Sequence, residues 1–321
     1  MALSTQLHVV TGKGGTGKTT VAAALAMALA AESRRVLLCE VEGRQGIAQL
    51  FDVPPLPYAE RKVAVGLGGG EVFALAVDAE AALLEYLAMY YRLGRAGKAL
   101  DRFGVIDFAT TIAPGVRDVL LTGKVYEAAR RRDGDRFAYD AVVLDAPPTG
   151  RITRFLNVNA EVAGLAKVGP VRKQADSIMS MMRAPTTRVH IVTLLEEMPV
   201  QETLDAIVAL RASGLPVGHV IVNLERAHVL SASTQKALAN GELAAESVAA
   251  ALRSVSLDAE ASAGLLDEGR SRHERQVLQD SQRALLRETG VRLATLPALR
   301  DGVDLGALYE LAQLLRDEGL A

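Results

Sequence analysis

Short apolar runs alternate with longer stretches of helical periodicity along most of this chain. The apolar runs, in chain order, are Leu7–Thr11, Val36–Glu40, Glu71–Val77, Ala138–Leu144, Arg188–Leu194, Val217–Leu224 and Val291–Leu296. Runs of this length without alternating polar residues are typical of strands that are buried on both faces of a parallel sheet. The pattern therefore predicts an α/β protein with a doubly wound, mostly parallel sheet and crossover helices.

The stretches between these runs predict helices over Lys18–Glu32, Gly46–Phe51, Ala81–Ala88, Val116–Arg132, Arg151–Val168, Val171–Arg183, Val200–Ser213 and Leu305–Arg316. Two helical insertions interrupt the alternation, a midsection at about 78–132 with a break at Ala113-Pro114-Gly115, and an insert at about 230–288. The insert predicts three segments, because Gly241 and Ser256 interrupt its periodicity. No repeat or low-complexity linker divides the chain, so one domain over 1–321 is expected.

Composition and charge narrow the class of protein. Hydrophobic residues make up 50% of the 321 residues, yet aromatic residues make up only 4%, so a core of Ala, Leu and Val is expected. The net charge of −2 gives no global attraction to nucleic acid or anionic lipid, and no nucleic-acid partner is expected. The longest apolar run, Val21–Ala31, is too short to span a bilayer, and Met1–Gln6 does not resemble a signal peptide. We therefore expect a cytoplasmic protein without stable membrane insertion.

Cys39 is the single cysteine, which rules out an intrachain disulfide and any all-cysteine metal site within one chain. Because it lies in an apolar run, we expect it to be a small buried side chain. The five histidines show no close ligand spacing, and we expect structural or surface roles for them.

The stretch Gly12–Thr19 has the phosphate-loop pattern G-x-x-x-x-G-K-T and lies between a predicted strand and an Ala-rich predicted helix. Its glycines let successive backbone N–H groups turn toward phosphate oxygens, and the following helix offers its positive end to the same anion. Lys18 supplies an ammonium for the outer phosphates, and the Thr19 hydroxyl can ligate Mg²⁺. A Gly-rich turn that matches by accident is the alternative, but the strand–loop–helix context favours nucleotide binding. The predicted binding residues here are Gly12, Lys13, Gly14, Gly15, Thr16, Gly17, Lys18, Thr19 and Thr20.

Asp145 closes the apolar run Val142–Leu144, an arrangement that holds magnesium through water beside a phosphate loop. An apolar run ending in Asp is common by itself, so this hypothesis depends on the phosphate loop. The turn-rich stretch that follows contains Pro148, Thr149 and Gly150, which are candidate switch residues that respond to the terminal phosphate.

With Lys13 included, the loop reads K-G-G-T-G-K-T and resembles the loop of the deviant Walker A ATPases. In that superfamily the early lysine crosses a two-fold interface and touches the phosphates bound by the partner subunit. The resemblance implies a dimer with nucleotides at its interface, in which Lys13 is catalytic and acts as an arginine finger does. A solvated loop lysine is the alternative interpretation.

Within that superfamily the chain resembles the arsenite-pump and tail-anchored-protein-targeting (GET pathway) ATPase family. The main match is Asp145–Leu156, which reads D-A-P-P-T-G-R-I-T-R-F-L, and weaker matches are Asn223, Ala113-Pro114-Gly115 and Pro297. The matches extend over almost the whole chain. The resemblance implies a P-loop NTPase fold of the SIMIBI type, hydrolysis of ATP to ADP with Mg²⁺, and contacts of Asn223 and Pro297 with the adenine.

The chain departs from the family pattern at its first switch, where an Asp normally orients the attacking water. Glu42 takes that position, with Glu40 as a rival and a solvated loop residue as the alternative. The single cysteine excludes the zinc clip of the targeting branch and the clustered thiols of arsenite sensing. The stretch Val41–Phe51 looks most like the actinobacterial-type branch, whose related ATPases are thought to occur in pairs. A heterodimer with a paralogous ATPase therefore stands beside a homodimer.

These observations predict a dimeric Mg²⁺-dependent ATPase that opens and closes around its nucleotides to handle a client or partner protein. Candidate client surfaces are the Tyr86–Tyr91 cluster and the Met-rich stretch Ile178–Met182, with ordinary helix core as the alternative.

The alternative function is a positioning ATPase of the MinD/ParA kind, acting at a membrane surface or on DNA. Such a protein needs a basic terminal helix or surface, whereas Leu305–Ala321 is acidic. A nitrogenase-iron-protein type of reductase needs two cysteines per subunit and is excluded.

Overall fold

A parallel sheet forms the centre of the protein. A computed structural model describes residues 6–31, 33–91, 116–157, 170–300 and 302–321. The strands in these residues are β1 (Leu7–Gly12), β2 (Arg35–Glu40), β3 (Arg61–Val65), β4 (Glu71–Ala76), β5 (Arg132–Asp133), β6 (Arg136–Phe137), β7 (Ala141–Asp145), β8 (Thr187–Thr193), β9 (Val217–Glu225) and β10 (Arg292–Pro297). One sheet has the order β10-β9-β8-β1-β7-β2-β4-β3, and β5 and β6 form a separate hairpin. Neighbours in the large sheet run parallel, except that β3 is antiparallel to β4.

Helices cover both faces of this sheet. They are α1 (Lys18–Leu29), α2 (Gly46–Leu50), α3 (Ala79–Tyr91), α4 (Val116–Arg130), α5 (Thr149–Leu156), α6 (Pro170–Met182), α7 (Glu197–Ala212), α8 (Ala232–Ala239), α9 (Ala245–Ser254), α10 (Ser262–Glu288) and α11 (Leu305–Asp317). The central strands are buried on both faces, as their continuous apolar runs predict. The expected α/β class with a doubly wound, mostly parallel sheet is confirmed. None of the described helices combines the length and hydropathy needed to cross a bilayer.

Two hydrophobic cores lie on opposite faces of the sheet. Helices α4 to α7 contribute to one core, which includes Phe155 and Ile178. Helices α1, α2 and α11 contribute to the other, which includes Leu25 and Leu311. Residues Val21–Leu29 of α1 are all buried, because its many alanines allow the sheet and α11 to approach closely. The close packing fixes α1, and with it the loop at its N-terminus.

Most predicted elements are present, with differences at some boundaries. The edge strand β3 was not predicted, because its five residues are short, begin with Arg-Lys and have no fully buried member. The helix predicted over Arg151–Val168 begins at Thr149 and ends at Leu156. Residues 158–169 and the predicted break at Ala113-Pro114-Gly115 lie outside the described residues. The predicted segments of the insert correspond to α8, α9 and α10, which are interrupted near Gly241 and Ser256 as expected.

The hypothesis that the Met-rich stretch Ile178–Met182 forms a client surface is wrong. Ile178, Met179 and Met182 are at most 2% exposed and belong to the core that packs against α4. Helical periodicity places these apolar residues on the face toward the sheet, which is the ordinary-core alternative. The side chains of residues 86–91, the other candidate surface, lie outside the described part. The prediction for Cys39 is confirmed, since it is fully buried and burial raises its pKa to about 12.

A stack of three imidazoles lies toward the N-terminal ends of strands β1, β8 and β9, on the side of the sheet away from the phosphate loop. The ring centroids of His8 and His190 are 5.3 Å apart, and those of His190 and His219 are 5.7 Å apart. His190 Nδ1 accepts the backbone N–H of His219 at 3.2 Å, so the ring proton of His190 lies on Nε2, 3.1 Å from His8 Nδ1. Strand register therefore assembles histidines that show no cluster in the sequence. In the described residues, no group of three His, Cys, Asp or Glu side chains could hold a metal ion.

This stack makes the stability of the protein sensitive to acid. Burial holds the pKa of His190 well below its usual range, and the neighbouring His8, His219 and Arg188 lower it further. The folded protein keeps this ring neutral, whereas the unfolded chain takes up a proton below about pH 6.5. The stabilisation is therefore present above that pH and is lost as pH falls, by up to about 1.4 kcal/mol per pH unit. In urea titrations between pH 7 and pH 5, we expect a shallower pH slope for His190→Gln than for wild type or His228→Gln. Equal slopes in all three proteins would contradict this assignment.

Candidate nucleotide site

The phosphate loop Gly12–Thr19 lies between β1 and α1, and two of its glycines are required by close approach. A Cβ on Gly12 would overlap the carbonyl oxygen of Val192 in β8. Gly17 has a φ of 85°, in the left-handed region, and a Cβ there would overlap the amide of Asn223. The loop is thus seated directly on the C-terminal ends of β8 and β9.

Hydrogen bonds hold the loop in one shape. The Thr16 hydroxyl donates to the carbonyl of Lys13 at 2.8 Å, and Asn223 Nδ2 donates to the carbonyl of Thr16 at 2.9 Å. Both Thr16 and Asn223 are buried, whereas Gly14 and Gly15 face solvent. A loop fixed from below with exposed glycines above is suited to present its backbone N–H groups to an anion.

Asn223 was predicted to contact adenine, and the structure places its amide under the loop. Because its Nδ2 is engaged by Thr16, this residue positions the phosphate loop, whichever contact its amide oxygen makes. Pro297 lies at the end of β10, beside Glu225 at the end of β9. Asn223 and Pro297 are therefore at the same edge of the sheet as the phosphate loop, and an adenine contact for each stays a prediction.

Lys18, Thr19 and Asp145 converge where α1 begins. Thr19 Oγ1 donates to Asp145 Oδ2 at 2.7 Å, and the other carboxylate oxygen of Asp145 is buried without a hydrogen-bond partner among the described residues. Burial raises the pKa of Asp145 to about 6, against the opposing effects of the Thr19 hydrogen bond and Lys18. Lys18 is only 8% exposed, and no described residue forms an ion pair with it. This pocket therefore favours added charge of both signs, an anion near Lys18 and a cation near Asp145.

The donor set fits Mg²⁺ bound together with a phosphate. Mg²⁺ prefers hydroxyl, carboxylate, phosphate and water oxygens, and it usually retains several waters. The Thr19 hydroxyl can enter such a shell directly, and the unpartnered oxygen of Asp145 can accept a hydrogen bond from one of its waters. A cation at this position would also lower the cost of keeping Asp145 ionised in a buried site.

The two glutamates of the first switch have different surroundings. Glu40 is 2% exposed, and its carboxylate accepts the backbone N–H groups of Gly46 and Ile47 at 3.3 Å each. Glu40 therefore caps α2, whose first residue, Gly46, lies against the methyl group of Thr19. Among the described contacts of Glu42 there is no such cap, which favours Glu42 over Glu40 as the residue that orients water.

We call Pro148–Gly150, together with the rest of the helix α5 that begins there, the second switch. Glu42 lies in a small charged cavity of about 160 Å³ that is lined in part by Arg151 and Phe155 of α5. Its carboxylate is 3.8 Å from the Arg151 guanidinium and 3.5 Å from that of Arg44. Arg151 also lies 3.6 Å from a carboxylate oxygen of Asp118 on α4. Arg151 belongs to α5, so it connects the first switch to the helix that carries the second.

The structure adds one residue that the sequence analysis missed, Glu202 on α7. Its carboxylate forms an ion pair with Lys13 and accepts a hydrogen bond from the Thr149 hydroxyl at 3.0 Å. The hydrogen bond from Lys13 is the main reason that the pKa of Glu202 is lowered. Glu202 belongs to no motif and lies 189 positions from Lys13, so only the folded chain reveals this contact.

The remaining predicted residues lie at the start of α1 and at the start of α5. Thr20 lies in the first turn of α1, and Pro148 is the residue before α5, where it acts as the N-cap position. Gly150 is exposed in the first turn of α5, where a Cβ would meet no other group. The Thr11 hydroxyl donates to the carbonyl of Pro147 at 2.7 Å, which ties the start of the phosphate loop to the second switch.

Comparison with known proteins gives a consistent assignment. Residues 5–186 match the family described as anion-transporting ATPase. The chain is 54% identical over 319 residues to ATPase BagA of Mycobacterium tuberculosis, a match that covers 98% of this chain and 94% of that protein. It is 27% identical over 174 residues to ATPase GET3 of Podospora anserina, covering 53% and 48% of the two chains. An Aquifex aeolicus protein named as an arsenical pump-driving ATPase is 26% identical over 196 residues, covering 60% and 47%.

The family match covers more than half of the chain and includes both the phosphate loop and the second switch. The long match to BagA then extends the similarity to nearly every residue, including the helices after β9. The chain therefore belongs to the ArsA-type family of anion-transporting ATPases and is a P-loop ATP hydrolase.

Proposed function

We propose that the protein works as a Mg²⁺-dependent dimer that uses ATP to open and close around its nucleotides and so handle a partner protein. The observation that carries this proposal is the contact of one carboxylate, Glu202, with both Lys13 and Thr149. It joins the lysine at the exposed front of the phosphate loop to the first residue of the second-switch helix. A nucleotide that draws Lys13 or Thr149 away from Glu202 therefore changes the contacts of the other residue.

The chemistry within one chain rests on the buried part of the site. The loop N–H groups and Lys18 neutralise the phosphates, while Thr19 and Asp145 hold Mg²⁺, the latter through water. Mg²⁺, when bound, supplies charge neutralisation at the phosphate oxygens. Glu42 orients the attacking water, and Arg151 positions Glu42 through their contact at 3.8 Å.

Lys13 completes the site from the other subunit. Its side chain is 32% exposed, so it can leave Glu202 and reach a surface that approaches the loop. A partner's phosphate would replace the Glu202 carboxylate as the counter-charge of the ammonium. Closure of the dimer therefore exchanges an ion pair within one chain for one between chains, which leaves Glu202 and Thr149 free to move.

The second subunit of the dimer and the client protein are inferred from features less specific than the nucleotide site. A homodimer and a heterodimer with a paralogous ATPase both satisfy the proposed geometry. The resemblance of Asp145–Leu156 to the tail-anchored-protein-targeting ATPases supports a cytoplasmic ATPase with a protein client. The MinD/ParA-like alternative receives less support, because α11 packs Leu308, Leu311 and Leu315 against the protein interior. That helix has no apolar face left for a membrane surface.

Replacing Lys18 tests the nucleotide site. We expect Lys18→Ala to reduce Mg²⁺-dependent ATP hydrolysis by at least about 100-fold, since it removes the cation nearest the phosphates. Phosphate release with and without Mg²⁺ measures the effect. The matched control is Lys62→Ala on the exposed edge strand β3, which should retain wild-type turnover. Hydrolysis by Lys18→Ala at the wild-type rate would overturn the proposed site.

Replacing the two glutamates of the first switch separates their roles. Glu42→Gln should bind ATP normally but hydrolyse it about 100-fold more slowly in a single turnover, because the water loses its orienting carboxylate. Glu40→Gln should instead lower the melting temperature, since it weakens the cap on α2. The opposite pattern, with ATP trapped by Glu40→Gln alone, would assign the water to Glu40.

Lys13 and Glu202 test the dimer. Lys13→Ala should keep the wild-type melting temperature and lose turnover by about 1,000-fold, the loss expected when a cation supplied in trans is removed. Glu202→Gln should form the ATP-dependent dimer at lower ATP concentration, because it holds Lys13 less strongly, with Glu197→Gln on the same helix as control. Light scattering after size exclusion measures the dimer. Unchanged turnover of Lys13→Ala would contradict action in trans.

A further inference from the structure

A second cavity lies at the sheet edge opposite the phosphate loop. It has a volume of about 710 Å³ and opens between the N-terminal ends of β8, β9 and β10. Among the described residues, the ionisable side chains that line it are all basic or imidazole: His8, His190, His219, Arg188, Arg211 and Arg292. The proposed ATPase mechanism uses none of these residues.

The three arginines of this cavity have no carboxylate partner among the described residues. Arg188 donates to the carbonyls of Pro185 and Thr187 at 2.8 Å each, and Arg211 donates to the carbonyl of Thr289 at 3.1 Å. The guanidinium group of Arg292, whose backbone belongs to the β9–β10 ladder, forms no hydrogen bond or ion pair with a described residue. Glu318 is near enough to His219 to affect its ionisation, but it forms no ion pair with these guanidinium groups. The cavity therefore carries an excess of uncompensated positive charge.

His219 adds a stronger indication of a missing partner. Both of its ring nitrogens are buried, and neither has a hydrogen-bond partner in the described part of the chain. One of these nitrogens must carry a proton even in the neutral ring, so a donor is left without an acceptor. Arg292 lies directly across from His219 in the β9–β10 ladder. An acceptor placed between them would satisfy both groups.

The floor of the cavity is shaped by Gly218. A Cβ at this position would lie 2.8 Å from two atoms of the His190 ring, so any other residue would displace the imidazole. Gly218 therefore leaves the space that the buried His190 ring occupies in the lining of the cavity. Strands β1, β8, β9 and β10 supply the three histidines and two of the arginines, and the end of α7, the turns before β9 and β10 and the residues after α11 complete the lining.

We propose that this cavity is a second site, separate from the nucleotide site, that binds a small molecule carrying two or more oxyanion groups, phosphate or carboxylate. Guanidinium groups match the geometry of both oxyanions and form strong charge-assisted hydrogen bonds with them. The volume lies within the range of small-molecule sites, about 300–1,000 Å³. Arg188 and Arg292 supply charge on either side of the opening, and His219 donates to the ligand between them.

Calorimetric titration of the full chain tests the proposal, with the phosphate loop first saturated with ADP. Sodium tripolyphosphate and sodium citrate, titrated separately at matched ionic strength, distinguish phosphate from carboxylate ligands. We expect saturable 1:1 binding of at least one of them. Arg188→Gln combined with Arg292→Gln should weaken it at least tenfold. The control pair Arg253→Gln and Arg270→Gln, two exposed arginines outside the cavity, should leave it unchanged. No saturable binding of either probe, or equal weakening by the two pairs, would overturn the proposal.

Two further measurements locate the bound anion. Binding should persist in Lys18→Ala, because that variant removes the main cation of the phosphate loop only. Its loss there would assign the anion to the loop and overturn the proposal. In NMR spectra that resolve imidazole nitrogens, the His219 signals should shift on titration in wild type and stay fixed in the double arginine variant. Unshifted His219 signals at saturation would equally exclude this cavity.

Discussion

The hydrogen bond between Thr19 and Asp145 is the interaction on which the nucleotide site depends. It joins the first turn of α1 to the end of β7, and it holds a carboxylate where burial opposes ionisation. Only one oxygen of that carboxylate is satisfied by a described residue. A hydrated cation at this position would therefore stabilise the ionised carboxylate of Asp145. The neighbouring ammonium of Lys18 would in turn be stabilised by a bound anion.

Strand register explains how the other groups reach this position. Asp145 of β7 lies opposite Val10 of β1 on one side and opposite Glu40 of β2 on the other. The carboxylates of Glu40 and Asp145 therefore lie on neighbouring strands. Glu40 then orients α2 against Thr19, and the loop containing Glu42 follows between them. Because parallel strands end at one edge of the sheet, small elements from distant parts of the sequence assemble there without long connections.

The elements whose signal is local can be predicted from the sequence. The loop Gly12–Thr19, the strand ending in Asp145 and the breaks at Gly241 and Ser256 each depend on neighbouring residues, and each is present where expected. The edge strand Arg61–Val65 was missed because half-exposed edge residues carry little hydrophobic pattern. Apolar periodicity alone could not decide between core and surface for Ile178–Met182, which is core.

The groups that the sequence could not reveal are those made by pairing of distant residues. Glu202 is an ordinary polar position of an amphipathic helix until α7 is placed beside the phosphate loop. His8, His190 and His219 are unrelated in spacing until the strands β1, β8 and β9 are set side by side. In both cases the chemistry depends on tertiary register, which no single segment encodes.

The same two elements that carry Glu202 and His190 connect the two ends of the sheet. Helix α7 contacts Lys13 and Thr149 through Glu202, and nine residues later Arg211 lines the basic cavity. That separation corresponds to about 14 Å of rigid helix. Strand β8 likewise begins in the cavity and ends against Gly12. A shift of α7 on release of Lys13 would move Arg211 as well, and any resulting coupling of binding between the two ends must be reciprocal.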